Sequence, residues 1–349
     1  MAGRGNPFPE RAVLLAAALT GVTALGGFFA LCYGAYDIGL GEVAEVILAR
    51  LGLFSGALDP VRSAIVWDGR LPRFLVALLV GFSLAAAGTI MQGVFKNPMA
   101  SPDVIGVSSG AALGAVASLY FGAAGKSLFA LPLAAVLFSL ATLAAVFLIA
   151  TARGRTSVPT LLLAGIALNL IFGALTSFVI AMSTREFDAG RVIVTWLMGD
   201  LNNRSWEHVL IVFPTTTLAL LGTMFFVKDL NILMIGEETA ANLGVNIGWA
   251  RNCLIVFSAI MTGGAVAVGG VIGFVGLLAP HMVRALVGPD NRRLVPLAGL
   301  MGAVFVVYAD LFVRLVVQVD LKVGVLTSML GGPFFLVLII RHRKRFEYL

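Results

Sequence analysis

The stretch that decides the fold is residues 128–151, LFALPLAAVLFSLATLAAVFLIAT, which runs for 24 residues without a charged side chain. A helix needs about 20 apolar residues to cross the hydrocarbon core of a bilayer. Only helices and closed barrels satisfy all of their own backbone hydrogen bonds there. This stretch therefore predicts a transmembrane α-helix.

The rest of the 349-residue chain has the same character, being 59% hydrophobic and only 12% charged. Soluble domains are about 45–50% apolar and about 25% charged. The composition therefore predicts an all-α polytopic membrane protein and disfavours a soluble enzyme, a nucleic-acid binder and a disordered linker. The net charge of +6 fits basic residues on cytoplasmic loops and tails, so we expect a lipid membrane and no nucleic acid as partner.

About ten segments are apolar enough to span the membrane, with ends defined to within about four residues. The seventh and eighth are nearly continuous through Gly269, Gly270 and Gly273. We treat residues 1–349 as a single transmembrane domain. The segments are 11–33, 72–94, 104–122, 128–151, 158–182, 206–227, 249–270, 272–287, 295–317 and 324–341.

The basic residues predict the orientation of these spans. An even number of spans places both termini on one side of the membrane. The tail at 341–345, RHRKR, is densely basic, and basic residues next to a span favour the cytoplasm. We therefore predict that both termini are cytoplasmic.

The sequence lacks the residue constellations of an enzyme. His208, His281 and His342 fall on an outer loop, an inner loop and the tail, so they cannot converge on a metal ion. Residues 122–127, GAAGKS, look like part of a phosphate-binding loop, but Tyr120 stands where that pattern needs glycine. We expect no catalytic residue, metal site or cofactor in this chain. If transport uses ATP, another chain must bind it.

Asp310 is the one acid well inside a predicted span. A charge at the bilayer centre costs about 2.5–3.5 kcal/mol on insertion scales, so it needs water or a partner. Arg314 follows one turn later, in the order that favours an i,i+4 ion pair. We therefore predict a structural Asp310–Arg314 pair. The scarcity of further acids disfavours a proton relay.

Gly106, Gly110 and Gly114 recur every four residues in the third segment. That spacing places them on one face of a helix, where small residues let neighbouring helices approach closely. The pattern predicts helix packing and gives no information about a substrate.

Three arginines are placed on the outer side by the predicted topology. Arg70 and Arg73 directly precede the second segment, and Arg314 lies near the end of the ninth. Long basic side chains at span ends can extend to lipid headgroups. The alternative is a docking surface for an acidic partner, and the residues alone leave both possibilities open.

Two loops carry patterns of their own. The loop at about 228–251 predicts a short amphipathic helix for contact with a partner protein, because two acids favour its N-terminal dipole and glycine ends it. A run at about 190–199 is too short to span and predicts an interfacial or re-entrant helix on the outer side. The residues of the first helix are Gly236, Glu237, Glu238, Thr239, Ala240, Ala241, Asn242, Leu243 and Gly244.

An ordered set of short motifs resembles the FecCD-type permease subunits of ATP-driven importers for iron–siderophore complexes, haem and cobalamin. They run from residue 70 to residue 334, and their order is more specific than any one of them. The motifs are RLPR (70–73), QG (92–93), NPMASPDVIG (97–106), LLAG (162–165), WLMG (196–199), ANLG (241–244), GFVGL (273–277), PH (280–281), RRL (292–294), AD (309–310), VGVLT (323–327) and GGPF (331–334).

The resemblance implies a fold and a set of partners. The fold is that of a type II ABC importer permease, with ten helices per subunit and a pathway at the interface of a homodimer. A dimer of ATPase subunits, which carries ATP and Mg, docks on the cytoplasmic side. A periplasmic or extracellular binding protein delivers a metal chelate. The location is then the cytoplasmic (inner) membrane of a bacterium or archaeon.

The resemblance also implies roles for particular residues. Arg70, Arg73 and Arg314 match outer positions that receive acidic residues of the binding protein. The loop at 236–248 matches the coupling helices that seat in the ATPase. The pathway is implied to lie along 158–182, 190–199 and 324–341. The turn before the fifth span shapes a cytoplasmic gate, which here contains Thr156, Ser157, Val158 and Pro159.

Two other classes of protein compete with this interpretation. A secondary carrier or channel would work without an ATPase, but the acidic coupling-type loop and the scarcity of acids in the spans disfavour it. An intramembrane enzyme would need a catalytic constellation. For the cargo, an iron–siderophore complex is the first expectation, with haem and cobalamin as alternatives.

Overall fold

The computed structural model describes residues 8–53, 59–152, 155–183, 187–317 and 319–346. The basic tail at 341–345 belongs to the last helix, and its side chains lie outside the described part of the chain. In chain order the helices are α1 (Phe8–Cys32), α2 (Leu40–Arg50), α3 (Pro60–Ser63), α4 (Leu71–Val94), α5 (Val107–Tyr120), α6 (Ala130–Ala150), α7 (Val158–Ser183), α8 (Phe187–Leu197), α9 (Trp206–Ile235), α10 (Glu237–Asn242), α11 (Ile247–Gly269), α12 (Val275–Val287), α13 (Asn291–Leu315) and α14 (Val323–Phe346).

Ten of these helices coincide with the ten predicted spans, which confirms the all-α membrane architecture. Within the described residues, seven helical segments are long and apolar enough to cross a bilayer. The other three spans correspond to shorter apolar helices, α5, α12 and the first part of α14. The predicted outer helix at 190–199 is α8.

Three boundaries differ from the prediction. The third span begins at Val107 because Pro102–Ile105 forms a 3₁₀ turn and Gly106 adopts a left-handed φ of +83°. The seventh and eighth spans are separated at 270–274. Helix α9 continues to Ile235, so the loop predicted at 228–251 contains only 236–246 outside the long helices.

Helices α2 and α3 were not predicted, because they are too short to register as spans. Helix α2 begins where the Glu42 carboxylate accepts a hydrogen bond from Gly39 N at 3.0 Å. It buries Val43 and Val46. Helix α3 continues through a π-helical turn, Ala64–Arg70, directly into α4.

Close backbone approach holds the centre of the bundle together. A Cβ atom built on Gly88 of α4 would lie 2.0 Å from the carbonyl oxygen of Gly276 in α12. One built on Gly110 of α5 would lie 2.0 Å from Thr142 Oγ1 in α6, and one on Gly114 would lie 2.5 Å from Ala134 O. The predicted packing role is thus confirmed for Gly110 and Gly114, whereas Gly106 lies before α5 and does not belong to that helix face.

The helices differ greatly in how enclosed they are. Among the 18 most apolar consecutive residues of α4 and of α11, 72% are buried, whereas in α7 only 11% are buried. The bundle has two ends. We call the end that carries α10 and the β1–β2 hairpin the α10 face, and the end that carries α2, α8 and residues 198–205 the α2 face.

Candidate functional site

Helix α10 is a six-residue helix that projects from the α10 face. Ala240 is its one buried residue, and it packs in a small cluster with Leu233 of α9 and Ala250 of α11. Glu237 forms an ion pair with Arg251 of α11. Gly244 ends the element with a left-handed φ of +79°. The helix is therefore anchored on one side to both neighbouring long helices.

The remaining surface of α10 is open. Glu238, Thr239, Ala241, Asn242 and Leu243 are all exposed. Two large side chains nearby are also exposed, Ile235 at 73% and Trp249 at 64%. Exposed apolar side chains grouped within a polar surface are typical of protein–protein contact sites. The predicted coupling residues thus lie on a short helix that is anchored on one side and exposed on the other.

The predicted gate residues also lie on the α10 face. Strands β1 (Thr151–Ala152) and β2 (Arg155–Thr156) form a two-residue antiparallel hairpin after α6. Ser157 N donates to Ala150 O at 3.0 Å, and the Ser157 hydroxyl accepts a bond from Thr160 Oγ1 at 2.9 Å. Val158 and Pro159 then open α7, where proline needs no backbone donor. The turn is a compact cap on the start of α7.

The three arginines predicted to dock a binding protein gather at the α2 face. Arg70 is only 8% exposed, and its guanidinium donates to Leu31 O at 2.7 Å and to Tyr36 O. Arg314 Nη2 donates to Ala30 O at 2.9 Å. These bonds connect the end of α1 to α4 and α13. A docking role for the three arginines stays a prediction, and their bonds within the chain are structural.

The predicted Asp310–Arg314 ion pair is replaced by a tertiary one. Asp310 pairs with Arg73 of α4, with 2.7 Å between Arg73 Nη2 and Asp310 Oδ1. Arg73 Nε also donates to Asp310 Oδ2 at 3.0 Å, so the contact is bidentate. A planar guanidinium that faces a carboxylate with two parallel bonds outcompetes a single contact along one helix. Arg73 Nη1 donates in addition to Asn202 Oδ1 at 2.8 Å.

A second polar cluster on the α2 face joins the segment after α8 to the start of α14. Lys322 lies 3.1 Å from Asp200 and 2.7 Å from Asp320. Burial alone would lower the pKa of Lys322, but the bonds to Asp320 and Asp200 raise it above its usual value. Gly324 N donates to Gly199 O at 3.1 Å. The segment after α8 and the start of α14 are thus held as one unit.

Arg204 completes this cluster. Its guanidinium donates to Asp200 O at 2.6 Å. Burial lowers the pKa of Arg204 to about 10, although the charge of Asp200 acts in the opposite direction. The residue stays charged at physiological pH, and it orders the 198–205 segment between α8 and α9.

Helix α7 carries an apolar stripe that no other described element covers. Exposed large side chains recur at helical spacing, from Leu163 at 67% through Leu170 at 72% to Phe178 at 62%. Helix α14 is similarly open at Met329 and Leu336. The surfaces of α7 and α14, which are implied to line the pathway, are thus open in a single subunit, as are parts of α1, α6 and α9.

One polar group beside α7 was not predicted as functional from the sequence. Asp103 lies in the 3₁₀ turn before α5, one residue outside the span predicted at 104–122. Asn169 of α7 donates to Asp103 O at 2.7 Å. The sequence signal that could have located this group is the NPMASPDVIG motif, because two prolines and a glycine within ten residues break a helix.

Comparisons with known proteins identify the family. The profile of the FecCD transport family matches residues 22–341. This chain belongs to the FecCD transport family. It is 38% identical to the hemin transport system permease protein HmuU of Yersinia pestis, over 91% of this chain and 96% of that protein. It is 40% identical to the cobalamin import system permease protein BtuC of Halobacterium salinarum, over 79% and 73%.

A solved structure supports the same conclusion. An inward-facing conformation of a proposed metal-chelate type ABC transporter is 33% identical and superposes with a TM-score of 0.81. The match covers 94% of this chain and 99% of that chain. The chain is therefore a permease subunit of an ABC importer and an integral protein of the inner membrane. ATP hydrolysis belongs to a separate ATPase chain, and the family also works with a substrate-binding protein.

Proposed function

We propose that this chain moves an iron chelate of the siderophore class into the cell, as a homodimer that binds two ATPase subunits and receives its cargo from an outer binding protein. The observation that carries the coupling role is α10, which projects from the bundle while Ala240 and the Glu237–Arg251 pair fix it to α9 and α11. The cargo class is supported by the likeness to a metal-chelate type transporter. Haem and cobalamin are the alternative cargoes.

The proposed orientation places the α10 face in the cytoplasm. Both described chain ends lie on that face, as ten spans require. The last helix continues there into the basic 341–345 segment, and basic residues near span ends favour the cytoplasmic side. The ATPase would then contact α10, and the binding protein would contact the α2 face.

The uncovered stripe of α7 supports the homodimer. Polar groups on the same open side, such as Asn169, would be costly against lipid. A second copy that covers part of this side would leave a path between the two subunits. Such a path needs no cofactor in this chain.

The proposed mechanism is rigid-body alternation. Closure of the ATPase pair would displace α10, and the anchors of α10 would transmit that displacement to α9 and α11. Helix α11 is one of the most enclosed helices in the described part of the chain, so its tilt would move its neighbours with it. The hairpin before α7 would open or close the cytoplasmic end of the path.

The test is uptake into proteoliposomes that contain this chain, its ATPase and its binding protein. Ferric siderophores, hemin and cobalamin are offered separately, with and without internal ATP. ATP-dependent uptake of a ferric siderophore supports the proposal, and uptake of hemin or cobalamin alone reassigns the cargo. Uptake by this chain without ATPase or ATP would overturn the ATP-driven role.

A further inference from the structure

The loop at 97–106 enters the bundle to about the middle of the membrane. Asn169, whose side chain holds Asp103 O at 2.7 Å, is the twelfth residue of α7. At 1.5 Å rise per residue it lies about 17 Å from the start of that helix, and the hydrocarbon core is about 30 Å thick. A Cβ atom on Gly165 of α7 would lie 2.6 Å from Val104 O, so helix and loop are in direct contact.

Asp103 is an exposed residue at this depth. Its carboxylate oxygens accept bonds from the hydroxyl groups of Ser108 and, at 3.5 Å, Ser101. Ser109, which is half-buried, contacts both Gly106 O at 3.0 Å and the Asn169 side chain. Asp103 and its hydroxyl partners therefore form a polar cluster next to α7, in which Ser101 and Ser108 are buried and Asp103 is exposed.

Lipid is an unsuitable neighbour for this cluster. Irregular backbone at membrane depth is tolerated only inside protein or beside a water-filled cavity. An ionisable side chain there faces the bundle interior or water and marks a substrate pathway by default. Within the described residues, no Lys or Arg forms an ion pair with Asp103. With lipid and a basic partner excluded, we infer that water contacts Asp103.

We propose that Asp103 lines the translocation path at the middle of the membrane and selects cargo by charge. Its carboxylate favours neutral or cationic chelates that carry hydrogen-bond donors, and it disfavours anionic chelates. The proposal rests on the proposed function, because a path must exist for Asp103 to line it. It adds a specificity-determining residue and a substrate class.

The competing role of Asp103 is purely structural. An acid just before α5 is favoured by the positive end of that helix, and Ser108 bonds to it. In that case a substitution would weaken the assembly and lower the uptake of every cargo equally. The two roles differ in water accessibility and in the ratio of uptake rates for cargoes of different charge.

The first experiment measures water accessibility without cargo or binding protein. Asp103→Cys and Ser109→Cys are made separately in a background without the native cysteines, Cys32 and Cys253. The assembled permease and ATPase are treated with a charged, membrane-impermeant thiosulfonate, with and without ATP. The matched control is Leu221→Cys, which is 62% exposed near the middle of α9.

We expect at least one of the two cluster cysteines to react about tenfold faster than the Leu221→Cys control, because only a water-exposed thiol ionises readily. Ser109→Cys keeps the result decisive if Asp103→Cys fails to assemble. Both cluster cysteines reacting as slowly as the control, in both nucleotide states, would overturn the proposal. Failure of ATP-dependent uptake would instead overturn the proposed function, whatever the thiols show.

The second experiment measures selectivity in the complete importer. Asp103→Asn keeps the hydrogen-bond acceptor and removes the charge. We expect the uptake ratio of ferric citrate, which is anionic, to ferrioxamine B, which is cationic, to rise about tenfold. An unchanged ratio with equal loss of both rates would assign Asp103 to structure alone.

Discussion

Arg73 of α4 forms a bidentate ion pair with Asp310 of α13, and 2.7 Å separates Arg73 Nη2 from Asp310 Oδ1. The two side chains are 17% and 5% exposed. The pair lies 237 residues apart in sequence, so it fixes the relative position of two central helices. Breaking one partner of a buried pair leaves an uncompensated charge, which costs about 3–5 kcal/mol.

The first prediction concerns this pair. Asp310→Asn and Arg73→Gln should each lower the free energy of unfolding by about 3 kcal/mol, measured as thermal unfolding of the purified permease in detergent. The double variant should lose less than the sum of the two, because neither charge is then left alone.

The control for this prediction is the Arg62–Glu42 pair, whose side chains are 37% and 38% exposed. Glu42→Gln should cost less than about 1 kcal/mol, as exposed pairs do. Equal losses at both pairs, or strict additivity at Arg73 and Asp310, would contradict the assignment of a buried structural pair.

The second prediction concerns the anchoring of α10. Glu237→Ala removes the bond to Arg251 and leaves the other exposed residues of the helix in place. Because Glu237 is 54% exposed, the pair contributes about 1 kcal/mol or less, which corresponds to a change of about fivefold or less. We expect cargo transported per ATP hydrolysed to fall by up to that factor, while permease and ATPase still co-purify.

Lys228→Ala, on the exposed end of α9, is the matched control and should transport normally. If Glu237→Ala couples hydrolysis to transport as well as the control does, then the ion pair does not transmit the motion of α10.

The third prediction concerns the contact between α4 and α12. Gly88→Ala would place a methyl group 2.0 Å from Gly276 O, which backbone cannot accommodate without displacement. Overpacking of this kind costs about 1–3 kcal/mol, so the variant should unfold at a lower temperature.

Gly173→Ala is the control, since nothing lies within 4 Å of a Cβ atom at that position of α7. In the isolated subunit it should be neutral or slightly stabilising. A Gly88→Ala protein as stable as the Gly173→Ala protein would show that α4 and α12 do not approach this closely.

The fourth prediction concerns docking at the α2 face. Arg314→Gln keeps a donor for Ala30 O and removes the positive charge. If an acidic surface of the binding protein docks there, its association should slow and become less sensitive to salt, because rim charges act mainly on the association rate. Surface plasmon resonance at two ionic strengths measures both effects.

Lys126→Gln serves as the comparison, because Lys126 is an exposed cation in the loop between α5 and α6 on the same face. Normal association by Arg314→Gln, with unchanged salt dependence, would leave Arg314 a structural residue only. The buried Arg70 is a poor choice for this test, since its bonds to Leu31 O and Tyr36 O hold α1 against α4.

The sequence predicted the helices well because each span must form its backbone hydrogen bonds within itself. Each span must also be apolar over about 20 residues. The sequence also predicted α10, because the residues that start and end this helix, Gly236, the two glutamates and Gly244, lie within the helix or next to it. It missed α2 and α3, which are stabilised by contacts such as the Arg62–Glu42 pair between segments 20 residues apart.

The predicted partner of Asp310 was wrong for the same physical reason. Spacing along one helix suggested Arg314, whereas the bidentate partner, Arg73, comes from another helix. Asp103 was overlooked because its position in a loop suggested a location at the membrane surface. Only the contacts with Asn169 and Gly165 show that the loop reaches the middle of the bundle.

The sequence by itself determined the membrane class, the number of spans, the projecting helix and the family resemblance, since these depend on local composition and on ordered motifs. The tertiary structure alone decided which charges pair, which arginines are buried and which polar groups face the open side of the subunit. Those properties depend on distances between residues that are remote in the chain, and no local pattern encodes them.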